Sequence, residues 1–234
     1  MKPITVMLSC EHGGNEVPNQ YQHLFADHLD VLETHLALDI GALSIADKLH
    51  EVLGCDYIKT TVTRLLIDCN RRIKHPQCFS MFTQNLPLDE KQTLIDQYYL
   101  PYRQQASKMI QRHIDKGQQV LHLSIHSFVP ELNGETRNAA ISLLYDPKRH
   151  GEKEVARIWQ NLMLNQPSNY RVRMNYPYKG DSDGFTSELR KHHPESDYLG
   201  IEVECNQALV HDRSSFDSAC KTLSVSLLRL LEIL

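Results

Sequence analysis

The strongest constraint in this chain is a pair of short apolar, strand-like runs, residues 4–8 and 120–125, each leading into a turn that carries a histidine. His12 lies in Ser9-Cys10-Glu11-His12-Gly13-Gly14 and His126 in Ser124-Ile125-His126-Ser127. An α/β protein places its chemical side chains at the carboxyl ends of its strands, where residues distant in sequence converge. The pattern therefore predicts an α/β fold with both imidazoles in one site.

The remaining periodicity agrees. Apolar residues recur at helical spacing over 30–53 (Leu32, Leu36, Leu43, Ala46, Leu49, Leu53) until Gly54 stops the helix. Residues 57–66 alternate and are rich in β-branched side chains, the signature of a strand. Residues 71–88, with Pro76 and Pro87, read as a loop, and Asp89 as the N-cap of a helix running to about 116. Strands over 120–125, 139–145 and 198–203 alternate with helices over 152–164 and 213–234. This order predicts a three-layer α/β/α architecture with a mainly parallel central sheet covered on both faces. The segment 175–183, containing Pro177 and Gly180, reads as a flap over the site.

A chain of 234 residues, 41% hydrophobic, can bury one substantial core, so a single domain over 1–234 is expected. Its net charge of -4 offers no clustered basic face for nucleic acid, which leaves a small molecule as the expected partner. The N-terminus reaches Glu11 too soon for a signal peptide, and no run of ~18 apolar residues could span a membrane. A soluble cytoplasmic protein is expected. Six cysteines without a CxxC pair read as reduced, mostly buried thiols rather than a zinc ribbon.

A catalytic zinc takes three protein ligands and keeps one open position. His12 and His126 supply two. Asp39 interrupts the stripe of Leu32, Leu36, Leu43 and Ala46 on the inward face of its helix, where a carboxylate needs a partner or a cation. It is the preferred third ligand, with Glu16, four residues after His12, in competition. In the strand over 199–204, alternation sets Glu202 and Glu204 on one face and Leu199, Ile201 and Val203 on the other. An acid there can take a proton from metal-activated water, and Glu204, nearer the strand end, is preferred to Glu202. Arg64, Arg71 and Arg137 offer guanidinium groups for a substrate carboxylate or an oxyanion, with Asp68 available to hold one of them. His122 and His126 have the spacing of a helical HExxH but enclose Leu-Ser-Ile with no glutamate. No GxSxG elbow is present, the Gly13-Gly14 pair is too weak for a phosphate loop, and Trp159 and Met163 read as core.

The stretches SCEHGGNEVP (9–18), LDIGAL (38–43), VTRLLIDCNR (62–71), SIHSFVPELNGETR (124–137), ISLLYD (141–146), NYPYKG (175–180) and IEVECNQ (201–207) resemble the N-formylglutamate amidohydrolase-like family. These are zinc hydrolases of the carboxypeptidase-like α/β/α group. The resemblance implies metal contacts from His12, Asp39 and His126. It further implies catalytic roles for Glu204 and Arg137, and substrate binding by Arg64, Asn70 and Arg71. The Gly-Gly turn, the Ser-Ile-His and the late glutamate are also similar to cell-wall amidases that cut an N-acetylmuramoyl-L-alanine bond. Glu11 stands where the better-characterised formylglutamate enzymes carry proline, as in a divergent branch. The expectation is a zinc amidohydrolase acting on a small N-acyl amino acid, N-formyl included. The alternatives are a cell-wall-type amidase and a non-catalytic ligand-binding relative.

Overall fold

The computed structural model describes residues 2–234. In chain order its elements are β1 (Ile4–Cys10), α1 (Ala42–Leu53), β2 (Asp56–Lys59), α2 (Leu88–Leu94), α3 (Leu100–Asp115) and β3 (Gln119–Phe128). A hairpin of β4 (Glu131–Leu132) and β5 (Glu135–Thr136) follows, then β6 (Ile141–Leu144), α4 (His150–Leu164), β7 (Val172–Met174), α5 (Phe185–His192), β8 (Tyr198–Asn206) and α6 (Arg213–Ile233). Six strands form the central sheet in the order β2-β1-β3-β8-β6-β7. Every neighbouring pair is parallel except β6 and β8, so the sheet is mainly parallel, as expected.

Period-two alternation divides the sheet into two chemically different faces. Val6, Leu8 and Cys10 of β1, Leu121, Leu123 and Ile125 of β3, and Leu199, Ile201 and Val203 of β8 enter one core with α1, α4 and α6. A second core lies on the opposite face beneath α3 and α5, and includes Tyr102, Ala106, Ile110, Phe185 and Leu189. The central strands present polar residues to that second side: Ser9, His122, Ser124, His126, Glu202 and Glu204. Burying such groups is costly unless each finds a partner. Accordingly, the two nitrogens of His122 lie 2.7 Å from the Ser9 and Tyr198 hydroxyls, and Ser124 donates to Glu11 at 2.6 Å.

Several elements differ from the sequence expectation. The stretch 30–53 is helical in its α form only over Ala42–Leu53, preceded by a short 3-10 turn at Leu29–Glu33. Gly41 ends the irregular segment at φ 83°, and a Cβ there would sit 2.2 Å from Val210. Asp39 therefore belongs to the loop entering α1, and Leu36 of the supposed stripe is 53% exposed. The strand over 57–66 shrinks to Asp56–Lys59, after which Val62 keeps only an isolated bridge to Glu16. β3 runs on to Phe128, which places His126 inside the strand rather than in a turn after it. α2 begins at Leu88 with Pro87 as its cap, two residues ahead of Asp89. A π turn at Ile95–Tyr99 joins α2 to α3 just before Pro101, where the missing amide and the bulk of the ring disfavour a regular turn. β7 and α5 are too short to show a periodicity.

All six cysteines are unpaired, and five of them are buried. Among the described residues, no helix is long and apolar enough to cross a membrane.

Candidate metal centre

His12 arrives one turn beyond the end of β1, and the two glycines after it explain the path of the chain. A Cβ on Gly14 would lie 2.3 Å from the Thr61 carbonyl oxygen, so only glycine lets this segment pass so close to the chain leaving β2. Beyond that crossing, Glu16 donates its amide to Thr61 at 2.9 Å while its exposed carboxylate accepts the Thr61 hydroxyl at 2.7 Å. The Glu16 carboxylate is thus engaged by Thr61, and it is not among the donors that converge with His12. Asp39 is brought in by its own amide, which donates to the His12 carbonyl at 2.9 Å.

The two histidines and Asp39 converge. One donor atom from each of His12, Asp39 and His126 lies within 4.8 Å of the other two, and all three residues are buried. Asp39 Oδ2 is 2.8 Å from His126 Nδ1 and 3.4 Å from His12 Nδ1. The far nitrogen of each ring is held by another carboxylate: His12 Nε2 lies 2.7 Å from Asp68 Oδ1, and His126 Nε2 lies 3.2 Å from Glu11 Oε2. Ligand histidines in metal sites are held in this way, because a carboxylate on one nitrogen fixes the tautomer that leaves a lone pair on the other. Two imidazoles and one carboxylate with such support fit a divalent cation of the zinc type.

The electrostatics follow from burial and these contacts. Burial alone raises a carboxyl, but His126 outweighs it and holds Glu11 well below its ordinary range. His12 does the same for Asp68, helped by Arg64, and His12 with His126 does so for Asp39. Burial would lower His126, yet Asp39 and Glu11 raise it well above its ordinary value.

Glu204 has a different environment. It pairs in register with His126 across β3 and β8, is buried, and its Oε2 has no hydrogen-bond partner. Burial pushes its carboxyl up to about 8, with Asp39 and Glu202 adding to the effect against His126 and Arg64. Glu202, one pleat back, accepts the Thr186 hydroxyl at 2.6 Å and has its donor supplied.

Both acids open on a cavity of about 790 Å³ that is also bordered by His12, Asp39, Arg64, Asn70, Arg71 and His126. Arg64 donates to Asp39 at 3.2 Å and to Asp68 at 3.0 Å, so it braces the centre. Asn70 accepts the Phe185 amide at 2.7 Å and directs its own amide toward His126 Nε2 at 3.5 Å. Arg71 gives one nitrogen to the Asp183 carbonyl and keeps a buried Nε unpartnered. Arg137 is not in the cavity wall; it donates to the Tyr178 hydroxyl at 3.0 Å and stacks on that ring, and Tyr178 does line the cavity. The segment 175–183 borders the cavity as expected, but it is tied down by Asn175, whose side chain accepts the amides of Tyr145 and Gly180.

Sequence reasoning missed Glu11 and Asp68 as partners of the two histidines. Their legible signal was spacing: Glu11 follows Ser9 by two and so continues the polar face of β1, and Asp68 sits four residues from Arg64.

The chain matches the N-formylglutamate amidohydrolase family over residues 4–211. No curated protein matches it. Among solved structures it is similar to the gene product Atu2144 from Agrobacterium tumefaciens, with 26% identity, a TM-score of 0.83, and coverage of 97% of this chain and 90% of that one. It is also similar in fold to the N-formylglutamate amidohydrolase from Ralstonia eutropha JMP134, with 18% identity, a TM-score of 0.71, and coverage of 99% and 93%. The strand order, the buried histidine pair and the span of that match lead to one conclusion: this chain belongs to the N-formylglutamate amidohydrolase family.

Proposed function

We propose that the protein is a zinc-dependent amidohydrolase that cleaves the amide of a small N-acyl amino acid, N-formyl compounds included. One observation carries the reading: three buried donors converge at a cavity that is also lined by Glu204, a buried carboxylate with an unpartnered oxygen. His12 Nδ1, Asp39 Oδ2 and His126 Nδ1 would hold the ion. Zinc bound there supplies Lewis-acid polarisation of the amide carbonyl and lowers the pKa of water.

The remaining chemistry belongs to the chain. Glu204 accepts a proton from the attacking water and delivers it to the departing amine nitrogen. Its carboxyl, raised by burial toward neutrality, suits a group that must take up and release a proton in each cycle. Asp68 and Glu11 keep His12 and His126 in the tautomer that points Nδ1 inward. Arg64 neutralises Asp39 and Asp68 and so limits repulsion among the clustered acids. Arg71 and Asn70, which border the cavity, bind the substrate. Arg137, held on Tyr178, orients the entrance rather than touching the amide. We assign the activity to the cytoplasm, in keeping with six unpaired thiols.

The test is metal analysis of the purified protein, followed by hydrolysis assays of the zinc-loaded form on N-formyl, N-acetyl and N-carbamoyl amino acids. Stoichiometric zinc and turnover of at least one series are expected. Failure to bind zinc, or full activity in His126→Ala, overturns the reading.

A further inference from the structure

The cavity has one ionic grip and a broad apolar wall. Of its two guanidinium groups, Arg64 is committed to Asp39 and Asp68. Arg71 borders the same cavity as Glu204 and gives one nitrogen to the Asp183 carbonyl, but it pairs with no carboxylate. Lys179 also borders the opening, but it is exposed, where an ammonium stays hydrated and contributes little. The lining also includes Val31, Leu36, Phe79, Met81 and Phe82, interspersed with polar residues such as Ser80 and Gln84. Leu36 and Met81 are 53% and 72% exposed there. Large apolar side chains gathered at a cavity rim mark a surface that a ligand covers.

The cavity volume of about 790 Å³ also exceeds what a formylated amino acid requires. It falls in the range of roughly 300–1,000 Å³ occupied by ligands of drug size. A substrate with two carboxylates would bring its second charge against aromatic and aliphatic surface with no buried cation to meet it, which is unfavourable.

We infer that the preferred substrate is an N-acyl amino acid with a single carboxylate, bound by Arg71, and a large apolar group resting on Val31, Leu36, Phe79, Met81 and Phe82. The inference rests on the amidohydrolase reading above and specifies its substrate class. The apolar group can be the acyl chain or the amino-acid side chain, since both provide the same surface. Each methylene laid on that wall should tighten binding by roughly fourfold.

Calorimetric titration of the zinc-loaded Glu204→Gln variant separates binding from turnover. The ligands are N-lauroylglycine, N-formylphenylalanine and N-formylglutamate; the first two distinguish an apolar acyl chain from an apolar side chain. At least one of these two should bind about tenfold or more tightly than N-formylglutamate. Arg71→Leu should weaken all three by about tenfold or more. Met81→Glu should weaken the apolar ligand several-fold more than N-formylglutamate. Binding of N-formylglutamate as tight as or tighter than both apolar ligands, or no binding by either apolar ligand, overturns the inference. Turnover by the wild-type protein reports separately on the amidohydrolase reading: tight apolar binding with no hydrolysis of any of the three sinks that reading and leaves only the preference for an apolar monocarboxylate ligand standing.

Discussion

Glu204 stands directly across from His126 on the adjacent parallel strand, its Oε2 unpartnered while both nitrogens of the His126 ring are occupied by Asp39 and Glu11. Two neighbours on one sheet face therefore have opposite hydrogen-bonding environments. The histidine is held on both sides, and the acid keeps one buried oxygen without a partner.

Replacing Glu204 with Gln keeps the shape and removes the proton acceptor. The expected result is a fall in kcat of about 10²- to 10⁴-fold, with zinc content unchanged. Steady-state kinetics and metal analysis check it together; an active variant would assign the proton transfer to another group, Glu202 first.

Glu11→Gln leaves a neutral acceptor beside His126 Nε2, 3.2 Å from the present carboxylate oxygen. Zinc affinity should fall by about 10- to 100-fold, the usual consequence of losing the support behind a ligand histidine. Asp68→Asn should act similarly through His12. Competition with a chromophoric chelator measures both, and unaltered affinity would show that the distal carboxylates do not tune the site.

His122 predicts a pH dependence of stability. Burial pushes its pKa down to about 4, opposed by Glu11. The unfolded chain titrates near 6.5, so between about 4 and 6.5 the unfolded state binds a proton that the folded state refuses. Stability is therefore complete above 6.5 and falls with decreasing pH, by up to about 3 kcal/mol. Chemical denaturation of the zinc-free protein across this window should show a steeper slope for wild type than for His122→Gln. Parallel slopes would remove His122 as the cause.

Glu152 joins α4, α5 and β8 from a fully buried position. It accepts from Arg190 at 3.0 Å, from the amides of Gly200 and Asp146 at 3.0 Å each, and pairs with Arg149 at 3.1 Å. Glu152→Ala strands two guanidinium groups and should cost about 3–5 kcal/mol, read from urea denaturation. A loss below about 1 kcal/mol would mean that water replaces the carboxylate.

Sequence alone was sufficient to identify the residue types and the mainly parallel, helix-covered character of the sheet. Period-two alternation assigned Glu202 and Glu204 to one face, and the strand-end histidines pointed to a common edge, because both signals are local properties of an extended backbone. Asp39 was legible as an acid that needs a partner, but its supposed helical face does not exist; Gly41 keeps it in a loop. Tertiary structure alone decided the rest. Hydrogen bonds between residues 27 to 113 positions apart set Asp39 against both rings, Asp68 behind His12 and Glu11 onto Ser124. It was likewise the packing of irregular segments that committed Arg64 to acids and left Arg71 with a backbone carbonyl but no acid partner. Such pairings depend on where loops cross in space, and no periodicity along the chain encodes that.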